Sequence, residues 1–221
     1  MERDTIIQTL LVEKILVIVR GVAPEKLLPL AEALYAGGIR VMEVTYSADG
    51  SVDDAAAARC VQQLAAHFGE RMLIGSGTVL KPEQVRRTAA AGGRFIVSPN
   101  TDPAVIGETV AAGLVSIPGA LTPTEIQAAH AAGADLVKLF PAGCMGAEYL
   151  KTVHLPLSHI PLLAVGGIKP GELGAYLAAG AAGFGISSGI VDKALVAAGD
   201  YAGITRRAAA YVAEAKGLHT L

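Results

Sequence analysis

Apolar residues gather into eight short runs, at residues 15–19, 41–45, 72–75, 95–98, 115–117, 136–140, 162–165 and 183–186. Each run is continuous, not alternating, and most are rich in β-branched residues or Leu. That pattern predicts parallel strands covered on both faces. Between the runs lie Ala-rich segments that predict helices at residues 24–36, 51–68, 82–91, 103–112, 124–132, 147–153 and 170–179. Lys81-Pro82, Asp102-Pro103, Pro123-Thr124-Glu125 and Lys169-Pro170 place Pro or a capping residue where a first helical turn tolerates it. Ala36-Gly37-Gly38, Ala91-Gly92-Gly93, Ala112-Gly113, Ala132-Gly133 and Ala179-Gly180 close five of these segments. A left-handed glycine just past a helix end has that signature. The order helix, glycine, strand therefore recurs about every twenty to thirty residues, an internal repeat.

Eight alternations fit either a closed eightfold barrel or an open doubly wound sheet with an extra edge. An open dinucleotide-binding sheet carries GxGxxG after its first strand, whereas this chain continues Arg20-Gly21-Val22-Ala23-Pro24. The prediction is an α/β fold, a single (β/α)8 TIM barrel over residues 1–221. An N-terminal helix at residues 5–13 would cap the barrel floor, and residues 201–216 would supply the last outer helix. No linker or composition break marks a second domain.

Composition narrows the partners. With 52% apolar and 17% charged residues the chain is globular, and its 26 glycines follow no three-residue period. The net charge is −2, no basic run exceeds a dipeptide, and Trp is absent. These features exclude a nucleic-acid partner and leave small anions as the expected ones. Residues 174–191 carry no charge, but five glycines and two serines make them a poor membrane span. They read as a helix end followed by a buried strand. Cys60 and Cys144 lack metal or CxxC spacing, so no disulfide is expected, Cys144 is expected to be a buried thiol, and residence is expected to be cytoplasmic. None of His67, His130, His154, His159 and His219 ends a strand, so no metal and no cofactor is expected.

In a (β/α)8 barrel the chemistry sits at the C-terminal strand ends. Lys138 stands alone among Leu136, Val137, Leu139 and Phe140. Desolvation there would lower its pKa, leaving an amine able to form a Schiff base, against the alternative of a packed stem with a snorkelling head. Glu43, between Met42 and Val44, reads either as an ion-pair partner of Lys138 or Arg20 or as a general acid/base. Both readings place it near Lys138. Gly166-Gly167 and Ser187-Ser188-Gly189 follow the last two strands, where backbone N–H groups commonly take phosphate, against the alternative of ordinary turns.

The motifs Val41-Met42-Glu43-Val44-Thr45, Gly75-Ser76-Gly77-Thr78-Val79, Phe95-Ile96-Val97-Ser98-Pro99, Pro118-Gly119, Val137-Lys138-Leu139-Phe140-Pro141-Ala142 and Gly166-Gly167-Ile168 resemble a known family. It is the 2-keto-3-deoxy-6-phosphogluconate aldolase family, which also acts on 4-hydroxy-2-oxoglutarate. The resemblance runs from about residue 15 to residue 191. It implies a metal-free class I aldolase, usually trimeric, that yields pyruvate and glyceraldehyde 3-phosphate. It further implies Lys138 as the Schiff-base lysine, Glu43 as the acid/base and Thr78 as a ligand of the pyruvyl carboxylate. Phe140 and Pro99 would wall the pocket beside Gly119, and Gly166, Gly167, Ser187 and Ser188 would meet the phosphate. Some members carry Arg four residues after the Glu, where this chain has Ser47; Arg20 is the expected replacement anchor. Some carry Trp where Gly189 stands. Arg20-Gly21-Val22 with Ser98-Pro99-Asn100 is also similar to the 6-phosphogalactonate branch. The rival readings are another phosphate-binding barrel isomerase or synthase, a non-catalytic metabolite-binding barrel, and a metal-dependent aldolase.

Overall fold

The computed structural model describes residues 2–51 and 53–217; His219 lies outside them. Helix α1 (Arg3–Glu13) precedes β1 (Ile15–Val19), α2 (Pro24–Ala36), β2 (Val41–Thr45), α3 (Asp54–Phe68), β3 (Leu73–Gly77) and α4 (Pro82–Ala90). Next come β4 (Phe95–Val97), α5 (Pro103–Ala111), β5 (Val115–Ile117), β6 (Gly119–Ala120), α6 (Pro123–Ala131) and β7 (Val137–Leu139). The last third holds α7 (Ala142–Met145), α8 (Ala147–His154), a 3-10 turn (Leu155–Leu157), β8 (Leu162–Val165), α9 (Leu173–Ala178), β9 (Gly183–Ile186), α10 (Lys193–Ala198) and α11 (Tyr201–Ala215).

All strand pairs are parallel, in the order β5-β4-β3-β2-β1-β9-β8-β7-β6. Only Pro118 separates β5 from β6, so the two ends of that order are one interrupted strand and the sheet closes into a barrel. Proline has no N–H to donate, which breaks the ladder there. Its carbonyl still accepts the Lys138 N–H at 2.9 Å. The nine strands therefore correspond to the eight predicted runs, the fifth being split.

Side chains alternate across each strand, and the two sets have different neighbours. Leu16, Ile18, Val41, Leu73, Phe95, Val97, Val115, Ile117, Leu136, Leu163 and Val165 fill the barrel interior together with Ile6 and Leu10 of α1. The opposite set, including Val17, Met42, Val44, Ile74, Val137, Leu139, Leu162 and Phe184, packs under the helices. Helix α1 thus plugs the floor, pinned by Arg3 to Asp135 at 2.9 Å. Large and small residues share the interior: a Cβ at Gly75 would lie 2.6 Å from the Phe95 ring.

The glycine punctuation marks what it was expected to mark. Gly38, Gly92, Gly113, Gly133 and Gly180 all have positive φ just beyond helix ends. Thr122 and Glu125 form a reciprocal capping box on α6, and the Asp102 side chain caps α5. Three differences have local causes. Ser51 bonds back to Ser47 and Asp49, which delays α3 to Asp54. Glu172 accepts the Lys169 N–H, holding a turn that delays α9 to Leu173. The unexpected α7 and α10 have four and six residues, too few to show a helical period. Cys60 is buried, and Cys144, expected to be buried, is exposed, because α7 presents it outward after the turn at Pro141. Among the described residues no helix is long and apolar enough to cross a membrane.

Interior crowding at Gly75 gives a direct stability test. Gly75→Val should destabilise the fold by roughly 1–3 kcal/mol or more, since Phe95 and its backbone must give way. Gly107→Ala, in α5 with open space around it, should stabilise by about 0.5–1 kcal/mol. Urea unfolding of both variants checks the pair, and equal effects would contradict the inward placement of Gly75.

Candidate active site

Strand parity decides where the two isolated ionisable residues point. Glu43 shares the inward face of β2 with Val41, and Lys138 shares that of β7 with Leu136. Counting β5 and β6 as one, the ring order puts β2 and β7 four steps apart in either direction. Glu43 and Lys138 therefore face each other across the barrel axis. Glu43 is level with Ile18 and Gly75 on its neighbouring strands, and Lys138 with Gly119 and Leu163.

Glu43 is 1% exposed, and a glycine makes its place. A Cβ at Gly77, on the adjacent β3, would overlap Glu43 Oε1. Glu43 Oε2 is buried without a hydrogen-bond partner among the described residues. Burial raises its pKa from 4.5 to about 7, against the pull of the Lys138 and Arg20 charges. Lys138 is 7% exposed, and burial lowers its pKa, with Glu43 opposing and Arg20 assisting. Each group is thus moved toward its neutral form. The Lys138 ammonium lies 4.8 Å from the centroid of the Phe140 ring, a cation–π contact. The Phe140 ring rests against Gly166, where a Cβ would approach it to 2.9 Å.

Above the pair opens a cavity of about 500 Å³. Arg20, Thr78, Pro99, Lys138 and Phe140 line it, together with Gly166 and Gly167 after β8 and Ser187, Ser188 and Gly189 after β9. Arg20 leaves the end of β1 and Thr78 follows β3, so they flank the end of β2. There Arg20 Nη2 donates to Thr78 Oγ1 at 2.9 Å. Thr78 adopts φ +55°, a left-handed conformation uncommon for a β-branched residue. Gly119 stands apart from this lining. It packs behind the Pro99 loop, where a Cβ would meet the Pro99 carbonyl, and its own carbonyl accepts from Thr101 Oγ1.

Two departures from the family pattern acquire geometry. Ser47 bonds to Asp49 and Ser51 within its own loop and borders a neighbouring recess beside Arg20 and Thr78. At Gly189 a Cβ would overlap the Tyr211 hydroxyl, so the phenol of α11 occupies the space beneath that turn. Ala48, Leu80 and Ile168 also line the cavity. No chemical signal in the sequence marks them. Gly77 was findable: with Gly75 it forms an i, i+2 glycine pair on one strand face, which signals close approach.

The raised pKa of Glu43 has a signed consequence for stability. Between pH 4.5 and about 7 the folded chain holds a proton that the unfolded chain has released, so stability falls as pH rises through that window. At about 1.4 kcal/mol per pH unit the full loss comes to roughly 3 kcal/mol. Glu43→Gln removes it. The variant should match the parent near pH 4.5, gain over it up to pH 7 and keep a constant advantage above. Urea unfolding at several pH values checks this, and a pH-independent difference would show that Glu43 ionises normally.

The chain is similar to characterised aldolases along most of its length. The family model described as "KDPG and KHG aldolase" matches residues 6–207. The 2-dehydro-3-deoxy-6-phosphogalactonate aldolase of Escherichia coli K12 is 35% identical over 79% of this chain and 82% of that protein. The 2-dehydro-3-deoxy-phosphogluconate aldolase of Treponema pallidum is 36% identical over 82% and 83%. The solved KDPG aldolase of Legionella pneumophila, with pyruvate captured at low pH as a covalent carbinolamine intermediate, superposes with a TM-score of 0.80. It is 30% identical and covers 90% of this chain and 93% of its own. Barrel, motif order and these likenesses agree, and the chain belongs to the KDPG and KHG aldolase family.

Proposed function

We propose that the chain is a class I aldolase that cleaves a 2-keto-3-deoxy-6-phospho sugar acid to pyruvate and glyceraldehyde 3-phosphate. By the same chemistry it would cleave 4-hydroxy-2-oxoglutarate to pyruvate and glyoxylate. The carrying observation is the juxtaposition of a desolvated Lys138 and a buried, proton-holding Glu43 across one barrel axis. A captured carbinolamine in the Legionella pneumophila relative supports an amine nucleophile in this fold.

The steps follow from the two side chains. Burial keeps a fraction of Lys138 unprotonated, and that amine attacks the C2 ketone. Glu43, holding a proton near neutral pH, supplies it as water leaves the carbinolamine and the iminium forms. The resulting carboxylate takes the C4 hydroxyl proton, directly or through water, as the C3–C4 electron pair becomes the C2–C3 double bond and the iminium π pair moves onto nitrogen. The aldehyde departs, the enamine is protonated at C3, and hydrolysis releases pyruvate and the free lysine. The iminium is the electron sink, so the scheme needs no cofactor.

Substrate placement follows from charge. The carboxylate meets Arg20 and Thr78, already joined at 2.9 Å, and Arg20 takes the role of the arginine absent at Ser47. Phe140 and Pro99 wall the chain of the substrate, with Gly119 setting the Pro99 loop from behind. The phosphate meets the main chain of Gly166 and Gly167 and the Ser187 and Ser188 loop, where glycine and serine let backbone N–H groups approach. The family likeness extends the proposal to a homotrimer acting in the cytoplasm.

Borohydride reduction in the presence of pyruvate should add one pyruvyl mass to Lys138, and Lys138→Met should abolish both adduct and cleavage. Catalysis without an adduct would overturn the mechanism. Glu43→Gln should lower kcat by about 10²–10⁴-fold. Arg20→Ala should raise the pyruvate KM at least about tenfold, and an unchanged KM would remove Arg20 from the carboxylate site. Activity should survive EDTA. Rates on gluconate-, galactonate- and hydroxyoxoglutarate-type acids, with the phosphate present or absent, identify the preferred substrate.

A further inference from the structure

Behind the carboxylate end of the cavity, on the outer face of the barrel, lies a buried polar cluster with no place in the mechanism. Gln84 of α4 is 4% exposed, and Tyr46 2%, while Ser76 and Thr88 are fully buried. Buried amides and hydroxyls at such density are costly unless each is hydrogen-bonded. These are. Gln84 Oε1 accepts the Leu80 N–H at 2.8 Å, and Gln84 Nε2 donates to Asp54 at the start of α3 at 3.1 Å. The Tyr46 hydroxyl donates to the Gln84 carbonyl at 3.1 Å, and Thr88 Oγ1 lies 2.8 Å from both that carbonyl and Ser76 Oγ.

The cluster brackets Thr78. The Gly77 carbonyl accepts the Tyr46 N–H at 2.8 Å, the Val79 N–H donates to Val97 at 3.2 Å, and the Leu80 N–H goes to Gln84. A left-handed β-branched residue persists only where its surroundings over-determine it. Two of the three ties around Thr78 run between backbone groups of the barrel and cannot be altered by changing a side chain. The third is Gln84, which couples the turn after β3 to the first turn of α3.

We propose that Gln84 is a positioning residue for the substrate carboxylate: through Leu80 and Asp54 it holds Thr78 left-handed, so that Thr78 Oγ1 stays in register with Arg20. This rests on the reading of Thr78 as a carboxylate ligand. Gln84 touches neither substrate nor reacting atoms, so its effect should fall on binding and not on the chemical step.

The experiment is a pyruvate titration of borohydride trapping on Lys138, read as the half-saturating concentration and the maximal yield. Gln84→Met fills the same volume without either polar end. Together with Thr78→Ala, it should raise the half-saturating pyruvate concentration about tenfold while the yield per folded chain stays unchanged. A merely structural role would lower the folded fraction and leave the half-point in place. Should Gln84→Met not fold, Asp54→Ala releases the far end of the amide and should move the half-point by about threefold. If Thr78→Ala shifts the half-point and the Gln84 or Asp54 variants do not, the positioning role is wrong. If Thr78→Ala itself shifts nothing, the carboxylate reading fails and takes the inference with it.

Discussion

Burying a carboxyl and an amine in one apolar barrel is the constraint on which the site depends. Either group, charged and alone, would destabilise the fold by several kcal/mol. The chain neither fuses them into a contact ion pair nor exposes them. It sets them on opposite strands, so that each feels the other's charge while burial pulls each toward neutrality. The result is a carboxyl that keeps its proton up to about pH 7, facing a lysine whose pKa burial lowers. The surrounding features serve this separation: the glycine at 77 makes room for the carboxyl, and Phe140 lies beside the ammonium.

The barrel turns this local constraint into a binding site. Since β1 and β3 flank β2, the residues that follow them, Arg20 and Thr78, meet above Glu43. Since β8 and β9 lie between β7 and β1, their glycine and serine turns line the same cavity between Phe140 and Arg20. Arg20, Thr78 and these turns thus border one cavity above the pair. Under the proposed function this one cavity would receive both the carboxylate and the phosphate of the substrate.

Much of this was legible in the residues. The eight apolar runs, the left-handed glycines and the helix caps are local rules, and the fold follows them closely. Lys138 and Glu43 stood out because charge inside an apolar run is expensive. Their direction was not legible, because a strand buried on both faces shows no alternation; only the neighbours of Val41 and Leu136 reveal which side is the barrel interior. Gln84 was invisible for a related reason: a polar residue on a helix reads as solvated, and its burial follows only from how α3, α4 and the turn after β3 converge. Cys144 was misjudged because a four-residue helix leaves no periodic trace. Gly119 was placed in the right neighbourhood, but its contact is with the Pro99 loop and not with the cavity.

Pairing of β1 with β9 joins strands from near the two ends of the chain, and it is this seam that brings Arg20 beside Ser187 and Ser188. During synthesis, a chain that has emerged only as far as residue 180 already contains both the lysine and the carboxyl. It has no ring in which to bury them and no wall for the far end of a substrate. The surroundings that shift both groups are therefore complete only once β9 closes the ring against β1, so loss of that one pairing would undo the burial of Glu43 and Lys138 together.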